Sequence, residues 1–254
     1  MKKQIIYGSP MGSVGDIITL LPLINASDFT FQTDSFHLRC EILKENCKIE
    51  ITKNFISDVQ SIKTYGDWGL NGKLSGEHQG VRFLKVFGVL DEGVNLIPSI
   101  KLTDSEAEYG KRTTEGFNKP CLAFCPLDAR FRSPISDWRK IIDPLKDRYT
   151  ILYISKNKNE KVFSDDLVDF SDPEAYPIRN IAGILNSCKA YIGIDTGLTQ
   201  LSVAAGCQTH VIHDSIGSIK FRNYAYVPEM WKGECKAFYY SPDLYKNLLD
   251  KLLI

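Results

Sequence analysis

Short apolar runs alternate with longer stretches of helical periodicity along this chain, and this alternation constrains its fold more than any other feature. The apolar run Gln4–Tyr7 ends at Gly8 and leads into a helical pattern over Asp16–Ile24. A comparable alternation restarts after Pro120, with a strand pattern at Cys121–Cys125. Strands that alternate with helices are typical of βαβ units, which build parallel sheets. The sequence therefore predicts an α/β protein.

The alternation occurs twice, and a polar helical stretch separates the two runs. We therefore predict two Rossmann-like domains facing across a cleft, one over residues 1–118 and the other over 119–254. For the last helix, 242–253, packing back on the N-terminal domain is an open option. Ligands of such folds bind in the crevice at the carboxyl ends of the strands. The loops that follow the strands are therefore the expected site.

Composition and charge narrow the class of protein. The 31 basic and 31 acidic residues balance, which argues against a nucleic-acid-binding protein. No apolar stretch approaches the roughly 20 residues of a membrane span, and Gly8 ends the first apolar run too early for a signal peptide. The seven cysteines form no CxxC pair, which is typical of free, buried thiols in a reducing compartment. We expect a cytoplasmic protein without a transmembrane segment or a metal site.

A glycine-rich loop follows the first strand pattern and contains Gly12, Ser13, Gly15 and Asp16. Glycines let the backbone approach a ligand closely, and the helix start that follows favours an anion. The loop lacks the Gly-Lys-Ser/Thr of a P-loop, and its glycine spacing differs from a dinucleotide fingerprint. Spacing alone allows two roles for Asp16, a helix-capping carboxylate or a base that accepts a proton from a hydroxyl.

A second strand runs directly into Asp195, Thr196 and Gly197, which open a helix of small residues. The amides of Thr196 and Gly197 suit a phosphate group, and the Asp195 carboxylate suits sugar hydroxyls. An ordinary helix cap is the alternative interpretation. An aspartic-protease site is disfavoured because the Asp-Thr-Gly triplet occurs once and in a βα setting.

A third loop between a strand and a helix carries Arg130 and Arg132 ahead of Pro134. Either guanidinium can neutralise a diphosphate through charge-assisted hydrogen bonds. A solvated basic loop is the alternative, and the sequence does not choose which arginine faces a ligand.

Together these three segments resemble the ADP-heptose lipopolysaccharide heptosyltransferases, which are inverting glycosyltransferases of the GT-B fold. The resemblance covers most of the chain in the same order. It rests on the segments Gly12–Pro22, His78–Leu84, Phe124–Trp138, Tyr176–Cys188 and Tyr191–Leu201.

The resemblance implies a metal-independent, inverting transfer of a sugar from a nucleotide-diphosphate sugar to an acceptor hydroxyl, most simply that of a saccharide. The C-terminal domain would hold the donor and the N-terminal domain the acceptor, with no cofactor besides the donor substrate. By position, Asp16 is the expected general base, and Arg130 or Arg132 the expected diphosphate contact. Further donor contacts are expected from Asp195, Thr196, Gly197 and Gln200, and an acceptor-side loop from Gly12, Ser13 and Gly15.

Two departures from the family leave alternatives open. Gln200 stands where the family commonly has His, which changes that donor contact, and the N-terminal half is short for the family. One alternative is a phage-type glycosyltransferase acting on a hydroxylated base in DNA, with nucleic acid only as the acceptor. Another is a non-catalytic nucleotide-sugar-binding protein. The donor nucleotide, its sugar and the oligomeric state are left open.

Overall fold

The computed structural model contains two parallel β-sheets. It describes residues 4–8, 14–26, 29–33, 38–51, 61–62, 84, 93–126, 138–155, 167–172, 175–213, 235–239 and 243–252.

The first sheet has four strands in the order β3-β2-β1-β4. Its strands are β1 (Gln4–Gly8), β2 (Phe29–Thr33), β3 (Lys48–Ile51) and β4 (Ser61–Ile62). Between β1 and β2 the chain forms α1 (Val14–Ile18) and α2 (Leu21–Ala26), and a 3-10 helix (Leu38–Leu43) precedes β3. Since β1 pairs in parallel with both β2 and β4, the strand order reverses at β1. The end of β1 therefore lies at a switch point of the sheet.

The second sheet has six strands in the order β10-β9-β8-β5-β6-β7. Its strands are β5 (Cys121–Cys125), β6 (Thr150–Tyr153), β7 (Val168–Asp169), β8 (Ala190–Ile194), β9 (Thr209–His213) and β10 (Cys235–Tyr239). Its helices are α3 (Asp104–Glu115), α4 (Arg139–Ile142) with a 3-10 turn (Asp143–Leu145), α5 (Ile178–Ser187), α6 (Gly197–Ala204) and α7 (Leu244–Leu252). The chain returns from β7 to pair β8 with β5, so the second switch point lies between these two strands. Asp195 follows β8 at that crevice.

Buried side chains cover both faces of the second sheet. On one face Phe124 packs edge-on against Trp138, with ring centroids 5.1 Å apart, and Leu248 of α7 is fully buried in the same cluster. On the other face Leu198 and Leu201 of α6 join a cluster that continues into the first sheet through α1. The two sheets therefore share a continuous buried core where α1 meets α6.

The described part of the last helix, α7, packs on the second sheet. Leu244, Leu248 and Leu252 are buried against the second sheet, and the Tyr149 hydroxyl donates to the Leu252 carbonyl at 2.7 Å. Among the described residues, the apolar stripe of the helix therefore lies against the sheet that precedes it. The domain boundary at 118/119 stays a prediction; α3, which precedes that boundary, packs on α5 of the second sheet.

Two helical segments are interrupted, and a proline lies within two residues after each break. The pattern over Asp16–Ile24 is divided between α1 and α2, because Pro22 cannot donate the hydrogen bond that would continue α1. Likewise α4 ends at Ile142 and a 3-10 turn containing Pro144 follows. The segment His78–Leu84 lies outside the described residues except for Leu84.

The expectation of free, mostly buried thiols is confirmed for the described cysteines. Cys121, Cys125, Cys188 and Cys207 are buried and form no disulfide, and Cys47 is half-buried. Burial raises the pKa of the Cys121 thiol to about 11 and that of Cys207 to about 12. These thiols are therefore protonated and unreactive at neutral pH.

Within the parts of the chain that the structure describes, no helix has both the length and the apolar character required to cross a bilayer.

Candidate functional site

The start of α6 forms a helix end suited to binding an anion. Thr196 has an extended backbone, and its side chain accepts a hydrogen bond from the Leu198 amide at 3.2 Å. Gly197 begins the helix, and Asp195 before it is half-buried. First-turn amides have no acceptor within their own helix. Their dipoles and N–H groups therefore favour a phosphate at this position.

The start of α1 lies directly against the start of α6. A Cβ atom built on Gly197 would lie 3.1 Å from the Gly15 amide nitrogen and 3.1 Å from the Val14 Cβ. Only a residue without a side chain permits this approach without displacing α1. The start of α1 and the Asp-Thr-Gly turn after β8, about 180 residues apart in sequence, thus form two sides of one site.

Gln200 places a buried polar group between these two helix starts. The side chain is 5% exposed, and a Cβ on Gly15 would lie 2.9 Å from its Oε1 atom. Among the described residues no group donates a hydrogen bond to Gln200 Oε1. A buried carbonyl without a donor costs roughly 1–3 kcal/mol. A ligand hydroxyl or amide at this point would remove that cost.

Buried hydrogen bonds between β8 and α6 stabilise the Asp-Thr-Gly turn that connects them. The Tyr191 hydroxyl lies 3.2 Å from Thr199 Oγ1, which donates to the Ile194 carbonyl at 2.5 Å. Burial raises the pKa of Tyr191 well above its ordinary value, so its hydroxyl stays protonated. A Cβ on Gly193 would lie 2.5 Å from this hydroxyl. No sequence motif points to Tyr191, although Gly193 inside an apolar strand marks a close approach of this kind.

The structure brings together several residues that the motifs predict. Gly15, Thr196, Gly197 and Gln200 converge, and Asp195 adjoins them at the end of β8. Asp16 follows Gly15 in α1, but its side chain lies outside what the structure describes. Gly12, Ser13, Arg130 and Arg132 also lie outside the described residues, so the roles assigned to them stay predictions.

No group of three or more His, Cys, Asp or Glu side chains within the described ranges is arranged to hold a metal ion.

No protein-family model matches the chain, and no curated protein matches it in sequence. Comparison with solved structures identifies the fold as that of the GT-B glycosyltransferases. A family 9 glycosyltransferase from Veillonella parvula superposes with a TM-score of 0.67 and 10% identity, over 98% of this chain and 89% of the other.

Two heptosyltransferases of Escherichia coli share this fold. WaaC with ADP-2-deoxy-2-fluoro heptose gives a TM-score of 0.63 at 12% identity, over 98% of this chain and 99% of WaaC. ADP-heptose lipopolysaccharide heptosyltransferase II gives 0.59 at 11% identity, over 98% of both chains. The GT-B fold expected from the sequence is thereby confirmed, and the resemblance to heptosyltransferases holds at the level of fold.

Proposed function

We propose that this chain is an inverting glycosyltransferase that uses a nucleotide-diphosphate sugar. The observation that carries the proposal is the meeting of the α1 and α6 starts, with Gln200 Oε1 buried between them and without a donor among the described residues. The ligands of solved neighbours support a nucleotide-sugar donor, since one WaaC structure holds an ADP-heptose analogue and another holds ADP.

In this proposal the donor lies along the start of α6. The diphosphate accepts hydrogen bonds from the Thr196 and Gly197 amides, and Asp195 and Gln200 contact hydroxyls of the sugar. The buried setting strengthens each of these hydrogen bonds because water does not compete for them. Arg130 or Arg132, on the loop after β5, adds the positive charge that the leaving diphosphate requires.

The acceptor enters from the side of α1. Asp16 removes the proton of the acceptor hydroxyl while its oxygen attacks the anomeric carbon from the face opposite the diphosphate, which inverts the configuration. The nucleoside diphosphate leaves as the glycosidic bond to it breaks. Fixed amides and a guanidinium stabilise the charge that develops on it, so no metal ion is assigned a role.

A saccharide is the proposed acceptor class, and the donor sugar is left to experiment. The direct test is a panel of nucleotide-diphosphate sugars, each assayed for release of the nucleoside diphosphate, alone and with glycan acceptors or hydroxymethylated DNA. Release that increases with a glycan supports the proposal. Release that increases only with the modified DNA would show that the acceptor is DNA and not a saccharide. Tight binding of a donor without release under any condition would identify a binding protein instead.

Activity is expected to survive removal of divalent cations. The proposal assigns the charge of the diphosphate to arginine and helix amides, and the sequence has no Asp-x-Asp pair beside this site. Turnover of the best donor should change by less than about twofold in excess chelator, since the stabilising groups belong to the protein. A strict dependence on Mg²⁺ or Mn²⁺, restored by adding the ion back, would show that the diphosphate site is wrongly assigned.

A further inference from the structure

Arg179 of α5 is a buried cation with a full set of partners. Its side chain is 6% exposed, and its Nε and Nη2 atoms donate to the two carboxylate oxygens of Glu106 at 2.5 and 2.6 Å. Glu106 belongs to α3, where it also accepts a hydrogen bond from the Thr103 amide in a capping box. Paired hydrogen bonds between a guanidinium and a carboxylate fix direction as well as distance.

The charge of this pair is maintained at neutral pH. Burial by itself would raise the pKa of the Glu106 carboxyl, but the hydrogen bonds and charge of Arg179, together with the Thr103 cap, outweigh burial and lower the pKa. The carboxylate therefore stays ionised opposite the guanidinium.

The remaining hydrogen bonds of Arg179 go to the 3-10 helix that precedes β3 and to the segment before α3. Nη1 donates to the Glu41 and Ile42 carbonyls at 3.2 and 3.1 Å, and Nη2 also donates to the Lys101 carbonyl at 2.7 Å. Glu41 and Ile42 belong to the 3-10 helix that precedes β3 of the first sheet. One guanidinium therefore joins α3, α5, the segment before α3 and the 3-10 helix.

The 3-10 helix in turn packs against α1. Ile42 and Leu43 are fully buried in the same cluster as Ile17 and Ile18 at the end of α1. The start of α1 carries Gly15, which lies against Gln200. A shift of the 3-10 helix would therefore move α1 relative to α6.

The segment before α3, residues 93–103, forms hydrogen bonds with elements of both sheets. Asn46 accepts a hydrogen bond from the Lys101 amide at 3.0 Å and donates to the Ser99 carbonyl at 2.9 Å. The Ile100 amide donates to the Ala204 carbonyl at the end of α6, at 2.9 Å. Arg179 thus acts within a connection that already has attachments to both sheets.

We infer that Arg179 is a positioning residue that holds the α1 side of the site in register with the α6 side, through its hydrogen bonds to the 3-10 helix. This inference rests on the proposed function for its consequence in turnover, but its structural part does not. A displacement of about 1 Å between reacting groups can reduce the rate by about a hundredfold. Arg179→Lys keeps the positive charge and removes the planar guanidinium that donates to both Glu106 oxygens and to the carbonyls.

The test compares Arg179→Lys with Arg112→Lys by amide hydrogen exchange, donor calorimetry and steady-state turnover. Arg112 on α3 pairs with Glu108 four residues earlier, and both side chains are exposed. These two residues are therefore a matched arginine–glutamate pair that is not buried between α5 and the 3-10 helix. Arg179→Lys should increase exchange in residues 14–26 by about tenfold or more, with the amides of α6 little changed. Turnover should fall about tenfold or more while donor affinity changes less than about threefold.

Arg112→Lys should leave all three measurements within about twofold of the parent, as expected for an exposed pair. Glu106→Gln serves as a second variant, because it keeps the shape of the carboxylate and weakens the fork. Unchanged exchange in residues 14–26, or faster exchange spread evenly over both sheets, would overturn the positioning role. If no nucleotide sugar is turned over by the parent protein, the proposed function fails, and the exchange comparison still decides the inference.

Discussion

Asp16→Asn is expected to lower turnover by about 10²–10⁴-fold, the usual cost of losing a general base. Asn has the shape of Asp but cannot accept the acceptor proton. The affinity for the nucleotide-sugar donor should stay within about twofold of the parent, because the proposed donor contacts lie on α6 rather than on α1. Calorimetric titration with the donor and steady-state turnover separate the two quantities.

Asp195→Ala should produce the opposite pattern, with donor affinity lost because Asp195 adjoins the α6 start. Asp104→Asn is the matched control for helix stability, since Asp104 is an exposed acidic residue in the first turn of α3. It should leave turnover unchanged. An equal loss of donor affinity in Asp16→Asn and Asp195→Ala would contradict the assignment of base and donor site to opposite sides.

The second large effect is expected at the crossing of α3 and α5. A Cβ on Gly110 would lie 1.9 Å from the Gly183 carbonyl oxygen, and a Cβ on Gly183 would lie 2.2 Å from the Glu106 carbonyl oxygen. The two helix backbones therefore touch without intervening side chains. Gly110→Ala should lower the free energy of unfolding by about 3 kcal/mol, the upper range for overpacking, because both helices must separate.

Helix propensity by itself would make Gly110→Ala more stable than the parent. A loss of stability in this variant therefore reports the close crossing of the helices. Alanine within a helix is favoured over glycine by about 1 kcal/mol. Gly116→Ala is the control, since a Cβ there would meet only the Arg112 and Thr113 carbonyls at 3.6 Å, an ordinary contact. Urea unfolding should show a loss for Gly110→Ala and little change for Gly116→Ala. A stability equal to or above that of the parent for Gly110→Ala would contradict the close crossing.

Local sequence patterns predict much of the fold. Two continuous apolar stretches are Cys121–Cys125 and Ala190–Ile194, which precedes Asp195. They form β5 and β8, and both strands are buried on both faces, as is typical of parallel sheets. The Asp-Thr-Gly turn is also predictable because Thr196 caps the helix that follows it. The meeting of Gly15 with Gln200 follows only from the resemblance or the structure, because it depends on how the two sheets pack.

Other features depend on contacts that no local pattern records. Arg179 lies in an amphipathic helix where a long cation is ordinarily exposed, and its partner Glu106 is 73 residues away in sequence. The two-residue strand β7 is too short to show alternation. Gly110 lies within a polar helical stretch, where a glycine costs helix stability. The reason for a glycine here is shown only by the structure, in which α3 crosses α5 at Gly110 and Gly183.

The central claim is that a nucleoside diphosphate binds where α6 begins, beside α1. The most direct measurement is an amide NMR titration with ADP, GDP, UDP and CDP in turn. We expect saturable shifts for at least one nucleotide at the amides of Gly197, Leu198 and Gly15, and their loss in Gly197→Ala, whose Cβ would lie 3.1 Å from the Gly15 nitrogen. Binding that leaves these amides unmoved, or the absence of binding by every nucleotide, would contradict this claim.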